Sequence, residues 1–139
     1  MFPGFVALIP ALAMQMANSG YVNDREAASA KLRLALRSGY AAKRAVYKAS
    51  LSSMVRGDEV QQELESAIKD ALPNIGIDDI EAPESALAMA SSALKRAKRG
   101  AFRTGRMDET TARRDIAWLK RRGYSFEVIK KAMGLGELY

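Results

Sequence analysis

The chain has 139 residues, 48% of them hydrophobic, which fits one domain or one short array of helical repeats. It contains no Cys and no His, which excludes disulfides, thiol nucleophiles, imidazole acid–base chemistry and Cys/His zinc sites. The net charge of +6 conceals three blocks: eight basic against two acidic side chains over 24–56, one against nine over 57–94, and thirteen against four over 95–131. Such segmentation implies either a basic surface for a partner with an acidic segment that docks internally or repels wrong registers, or simply solvated helix faces.

Residues 1–23 carry no charged side chain. No Lys or Arg precedes the apolar run Phe2 to Ala17, and Pro3 and Pro10 interrupt it, which argues against a signal peptide. The run is also shorter than the ~20 apolar residues of a membrane span. Ala11, Leu12, Ala13, Met14, Met16 and Ala17 suit a small buried helix ending at Gly20. A cytoplasmic location is the expectation; a membrane-associated or exported protein using residues 1–17 is the competing one.

Asn23 and Glu26 have capping-box spacing and open a second helix to about Arg37, with Ala28, Leu32, Ala35 and Leu36 as its apolar stripe. Gly39 stops it, and a third helix runs from about Ala42 to Val55, with Ala42, Val46 and Ala49 inward and Lys43, Arg44 and Lys48 outward. Asp58 caps a fourth, acidic helix ending at Pro73, because the residue before a proline avoids helical backbone. Residues 74–82 read as a loop or two short turns. Pro83 suits the first turn of a fifth helix to Arg99. Asp108 caps a sixth helix to Arg122, and Ser125 a seventh to Met133.

Strand patterns are absent, so the expected fold class is all-α with about seven helices. Ser19-Gly20-Tyr21, Ser38-Gly39-Tyr40 and Arg122-Gly123-Tyr124 repeat one signature, with a looser Gly100-Ala101-Phe102. Each reads as a left-handed glycine ending a helix, with the aromatic packing back on the last turn. The recurrence points to tandem three-helix, helix–turn–helix-like repeats in an elongated or curved array. The expected divisions are 1–56 (first repeat or repeats, with a reduced N-terminal helix), 57–84 (acidic helix and linker) and 85–139 (basic C-terminal three-helix repeat).

No catalytic constellation can be assembled. Asp78-Asp79 has no base beside it, and Glu59, Glu63 and Asp70 read as a solvated acidic face rather than a metal site. P-loop, dinucleotide-binding and nucleophile-elbow patterns are missing, and the lone Gly134-Leu135-Gly136 carries nothing. The expectation is a non-enzymatic protein without metal or cofactor. On the sixth helix Ala112, Ile116 and Leu119 form an inward stripe, leaving Arg113, Arg114, Lys120 and Arg121 outward. Trp118 either plugs the core edge or stacks under guanidinium groups. Lys95, Arg96, Lys98, Arg99, Arg103 and Arg106 extend the basic field. Such side chains on helices bind phosphates with little base specificity, and no recognition-helix pattern of polar base readers is evident.

Four segments occur in a telling order: Gly20-Tyr21-Val22-Asn23-Asp24-Arg25, Arg37-Ser38-Gly39-Tyr40-Ala41-Ala42-Lys43-Arg44, Lys98-Arg99-Gly100-Ala101-Phe102-Arg103 and Arg122-Gly123-Tyr124-Ser125-Phe126. Their order and spacing resemble the RecX family of bacterial regulatory proteins over residues 11–56 and 86–133. Ala27 stands where that family usually has an aromatic, Ala41 replaces a common glycine, and residues 56–82 align poorly. The resemblance is therefore to a diverged or N-terminally shortened member.

It implies tandem three-helix repeats and a modulator that lodges in the groove of the RecA–single-stranded DNA filament. There it would restrain strand exchange, ATP hydrolysis and the coprotease activity behind the DNA-damage (SOS) response. The contact candidates are Arg37, Lys43, Arg44, Arg96, Lys98, Arg99, Arg103, Arg113, Arg114, Arg121 and Arg122, docking electrostatically on filament protein and its DNA backbone. The alternative is a stand-alone, non-specific nucleic-acid-binding protein that ignores the recombinase.

Overall fold

The structure, a computed structural model, describes residues 23–76, 79–105 and 108–135. The expected N-terminal helix, the first Gly-Tyr turn, Asp78, Arg106 and Gly136 lie outside those residues. The described chain is all-helical: helix α1 over 23–37, α2 Ala42–Ser53, α3 Gly57–Gln61, α4 Leu64–Ala71, α5 Pro83–Ala97, α6 Glu109–Arg121 and α7 Phe126–Ala132. A single 3-10 turn, Gly100–Phe102, separates α5 from α6. Among the described residues there is no strand.

The apolar stripes fold inward where the spacing requires. Ala28, Leu32, Ala35 and Leu36 of α1 are buried, as are Val46 and Ala49 of α2. They join Val60, Leu64, Ile68, Met89, Leu94, Leu119 and Ile129 in one hydrophobic cluster that draws on every helix. Each fully buried leucine contributes roughly 1.5–3 kcal/mol. α5 is the central strut, packing on α7 and on the 3-10 turn.

Three boundaries differ from expectation. Asn23 already lies within α1 rather than capping it. α2 stops at Ser53, because Met54 takes left-handed backbone (φ 59°) and Val55 turns into the core. The acidic helix is two short ones: its N-cap is Arg56 without a side-chain cap, and Asp58 sits in the first turn, where Oδ1 accepts from the Glu59 N–H. The helix breaks at Gln62–Glu63, and Val60 and Leu64 on either side are both buried. At α6 the expected cap forms, with Thr111 N–H donating to Asp108 Oδ1 at 2.8 Å and Asp108 N–H to Thr111 Oγ1 at 3.0 Å. Ser125 likewise caps α7 through Val128 N–H at 3.3 Å.

The acidic segment docks on the first helix. Arg33 of α1 donates to Asp70 beyond α4's midpoint at 2.8 Å, and Arg25 lies 3.7 Å from Glu63. Opposite charges along the chain thus meet across one seam.

Four helix ends share one hydrogen-bond pattern. Tyr40 N–H donates to Ala35 O and Gly39 N–H to Leu36 O; Tyr124 and Gly123 repeat this on Leu119 and Lys120, and Leu135 and Gly134 on Lys130 and Lys131. Arg99 and Lys98 do the same on Leu94 and Lys95. This paired closure satisfies carbonyls that the helix leaves free, and it needs a left-handed residue. Gly39, Gly123 and Gly134 supply one at φ 96°, 94° and 69°; at the α5 end the position falls to Lys98 at φ 55°.

Candidate basic interface

The two Gly-Tyr turns come together. Ala41 N–H, at the start of α2, donates to Arg122 O at the end of α6 over 2.9 Å. Gly39 presses on α5 and α6: a Cβ there would stand 3.0 Å from Ala93 Cβ and 3.3 Å from Trp118 Cη2. A Cβ on Gly123 would meet Arg44 Cβ at 2.8 Å. These corners set the geometry of the basic residues around them.

Trp118 is 9% exposed, so it belongs to the core, and it also carries guanidinium groups. Arg122 lies 3.8 Å and Arg99 5.2 Å from the indole ring centroid. Arg122 also covers Tyr40 at 5.2 Å, and Lys48 approaches the same ring at 4.8 Å. The Nε of Arg122 donates to Ser38 O at 3.0 Å. Burial lowers the pKa of Arg122, and the positive neighbours Arg99 and Arg121 lower it further.

Asp115 is the polar keystone of α6, and the sequence reading missed it. Its side chain is fully buried. Arg103 grips it through Nε at 2.8 Å and Nη2 at 2.6 Å, Arg99 Nη1 donates at 3.0 Å, and Gly100 N–H at 2.7 Å. Burial alone would push this carboxyl up; the bonds from Arg103, Gly100 and Arg99 outweigh it and hold Asp115 below its ordinary value. The signal was present: Asp115 occupies the 115–119–122 row that faces inward, where an acid needs a buried partner.

The eleven candidate cations separate on this geometry. Arg99 and Arg103 hold Asp115, with side chains 32% and 25% exposed. Arg122 is locked in the aromatic stack. Arg96 closes the end of α1, donating to Arg37 O at 2.5 Å and Leu36 O at 3.4 Å. These four serve the fold first. Arg113 pairs with Glu109 one turn earlier at 2.6 Å, in solvent. Arg44 is exposed, with its guanidinium 5.8 Å from the Tyr47 ring centroid. Arg37, Lys43, Lys98, Arg114 and Arg121 are exposed and form no ion pair among the described residues. The same holds for Lys120, so α6 presents Arg114, Lys120 and Arg121 to solvent.

Among the described residues no group of His, Cys, Asp and Glu is placed to hold a metal ion, and no helix is long and apolar enough to cross a membrane. No family model matches the chain, and no curated protein or solved structure matches it either.

Proposed function

We propose that this protein is a non-enzymatic regulator that binds the RecA–single-stranded DNA filament and restrains its recombinase, ATPase and coprotease activities in the cytoplasm. It is built as tandem three-helix repeats in the manner of the RecX family. The observation that carries the reading is the pairing of an ordered motif set with a set of unpaired cations. Gly39-Tyr40 and Gly123-Tyr124 each close a helix before the next begins, and Lys43, Lys120 and Arg121 are exposed with no ion pair among the described residues, as is Arg114 apart from its field on the Asp108 cap. Glu63 and Asp70 of the acidic segment are already engaged by Arg25 and Arg33 of α1, which leaves the α6 cations as charge on offer.

The second reading, a non-specific nucleic-acid binder, is favoured by the lack of polar base readers beside those cations. One experiment separates the two: single-stranded-DNA-stimulated ATP hydrolysis by a RecA recombinase, titrated with this protein, alongside binding to bare DNA. Suppression well below one protein per recombinase, at salt where bare DNA is free, supports the regulator. Tight bare-DNA binding with undiminished hydrolysis assigns the function to nucleic acid alone. In that case binding falls steeply with salt.

A further inference from the structure

Between the end of α1, α5 and α6 lies an open cleft of about 440 Å³, bounded by Arg37, Arg96, Arg99 and Arg122 and floored by Gly39 and Trp118. Four arginines line one space, and among the described residues no carboxylate does. Part of their donor capacity is committed: Arg122 Nε to Ser38 O, Arg96 to the Leu36 and Arg37 carbonyls, and Arg99 Nη1 to Asp115. A guanidinium has five N–H groups, so donors remain on Arg122 and Arg99, and all five on Arg37, whose guanidinium meets no acceptor among the described residues. Capping of α1 accounts for Arg96 and for one N–H of Arg122. It does not account for Arg37, and Asp115 answers only Arg99 of the two guanidiniums that share the indole.

We propose that this cleft is an oxyanion site that takes a phosphate group. A carboxylate fills one planar fork, as Asp115 does for Arg103. Phosphate presents oxygens in several directions and matches guanidiniums arriving from separate helices. The cleft is open and larger than a bare phosphate needs, so the phosphate of a nucleic-acid strand fits as well as a free one. The site stands on its own geometry, whether or not a recombinase is the partner.

Trp118 is the only tryptophan of the chain and reports on the cleft directly. The full-length protein is titrated with inorganic phosphate, pyrophosphate and a short oligothymidylate while sodium chloride holds ionic strength constant, and Trp118 emission is followed. A saturable change is expected, with Arg37→Gln weakening half-saturation by about ten-fold through loss of one charge-assisted contact. Arg56→Gln removes the same charge away from the cleft and should leave the curve in place. Saturation by the oligonucleotide alone identifies a phosphodiester strand as the source, and saturation by phosphate or pyrophosphate alone a free phosphate; either supports the site. No saturable change with any of the three overturns it. So does a curve unmoved by Arg37→Gln, or moved equally by Arg56→Gln, because bulk charge then explains the signal. No recombinase is present, so a failure here leaves the filament reading to its own test.

Discussion

The seam between α1 and α4 and the corner between α5 and α6 both bring basic side chains against neighbours, with opposite results. At the seam, Arg25 and Arg33 meet Glu63 and Asp70 near the surface, and the charges cancel. At the corner, one buried carboxylate, Asp115, serves two arginines and a backbone N–H, while Arg37, Lys120 and Arg121 are exposed and form no ion pair among the described residues. A high count of Lys and Arg therefore does not define an interface. What matters is which cations the fold has already satisfied.

The contrast can be broken most severely at Asp115. Asp115→Ala leaves Arg99, Arg103 and the Gly100 N–H without their shared acceptor in a buried place. The expected cost is about 3–5 kcal/mol, read from urea unfolding. Total domain stability is only about 5–15 kcal/mol, so the variant should lie near the edge of folding. A loss under about 1 kcal/mol would show that the carboxylate is not the keystone described.

Acid tests the same group more gently. The folded pKa of Asp115 is depressed from 3.8, so its contribution to stability is fully present above that value. It is lost as pH falls below 3.8 toward the lower folded value, because the unfolded state then takes up the proton first. Asp108 is shifted in the same direction by the Thr111 N–H and adds to the fall. Urea midpoints measured down this range should drop in the native protein, and Asp115→Asn should drop less steeply.

The α5 end offers a gain. Lys98 occupies the left-handed closing position that Gly fills at the other three paired closures. Lys98→Gly should raise stability by about 1 kcal/mol, a shift of several degrees in thermal midpoint. A destabilised variant would mean that the Lys98 side chain contributes contacts beyond its backbone role.

The smallest effect belongs to the seam. Asp70→Ala breaks an ion pair whose acidic partner is more than half exposed, so it should cost less than about 1 kcal/mol, and added salt should shrink the difference. A cost rivalling that of Asp115→Ala would erase the distinction between the two regions.

Much of the architecture was legible in the residues. The apolar stripes of α1, α2 and α6, the Asp108 and Ser125 caps and the Gly-Tyr helix ends all follow from local rules of spacing and backbone preference. The break within the acidic segment was not legible, because neither Gly nor Pro stands at Gln62–Glu63 and Val60 and Leu64 have the i, i+4 spacing of one continuous helix. Site reading went furthest astray over the arginines. Position on a helix says which way a side chain points, yet Arg99 and Arg103 are claimed by an aspartate 16 and 12 residues further along. That pairing depends on the left-handed turn at Lys98 and Gly100, which lays residues 99–103 across α6.

The most direct measurement compares native protein with a triple variant, Lys43→Glu, Arg114→Glu and Arg121→Glu, as suppressors of RecA ATP hydrolysis on single-stranded DNA. All three residues are exposed and form no ion pair among the described residues, so the variant should keep its helical circular dichroism, with at most a small loss of midpoint from Arg114 beside the Asp108 cap. The account predicts suppression by the native protein at a fraction of the recombinase concentration and little or none by the triple variant. Equal suppression by both would contradict the claim that these free cations dock the protein on the filament, and no suppression by either would remove the filament as its partner.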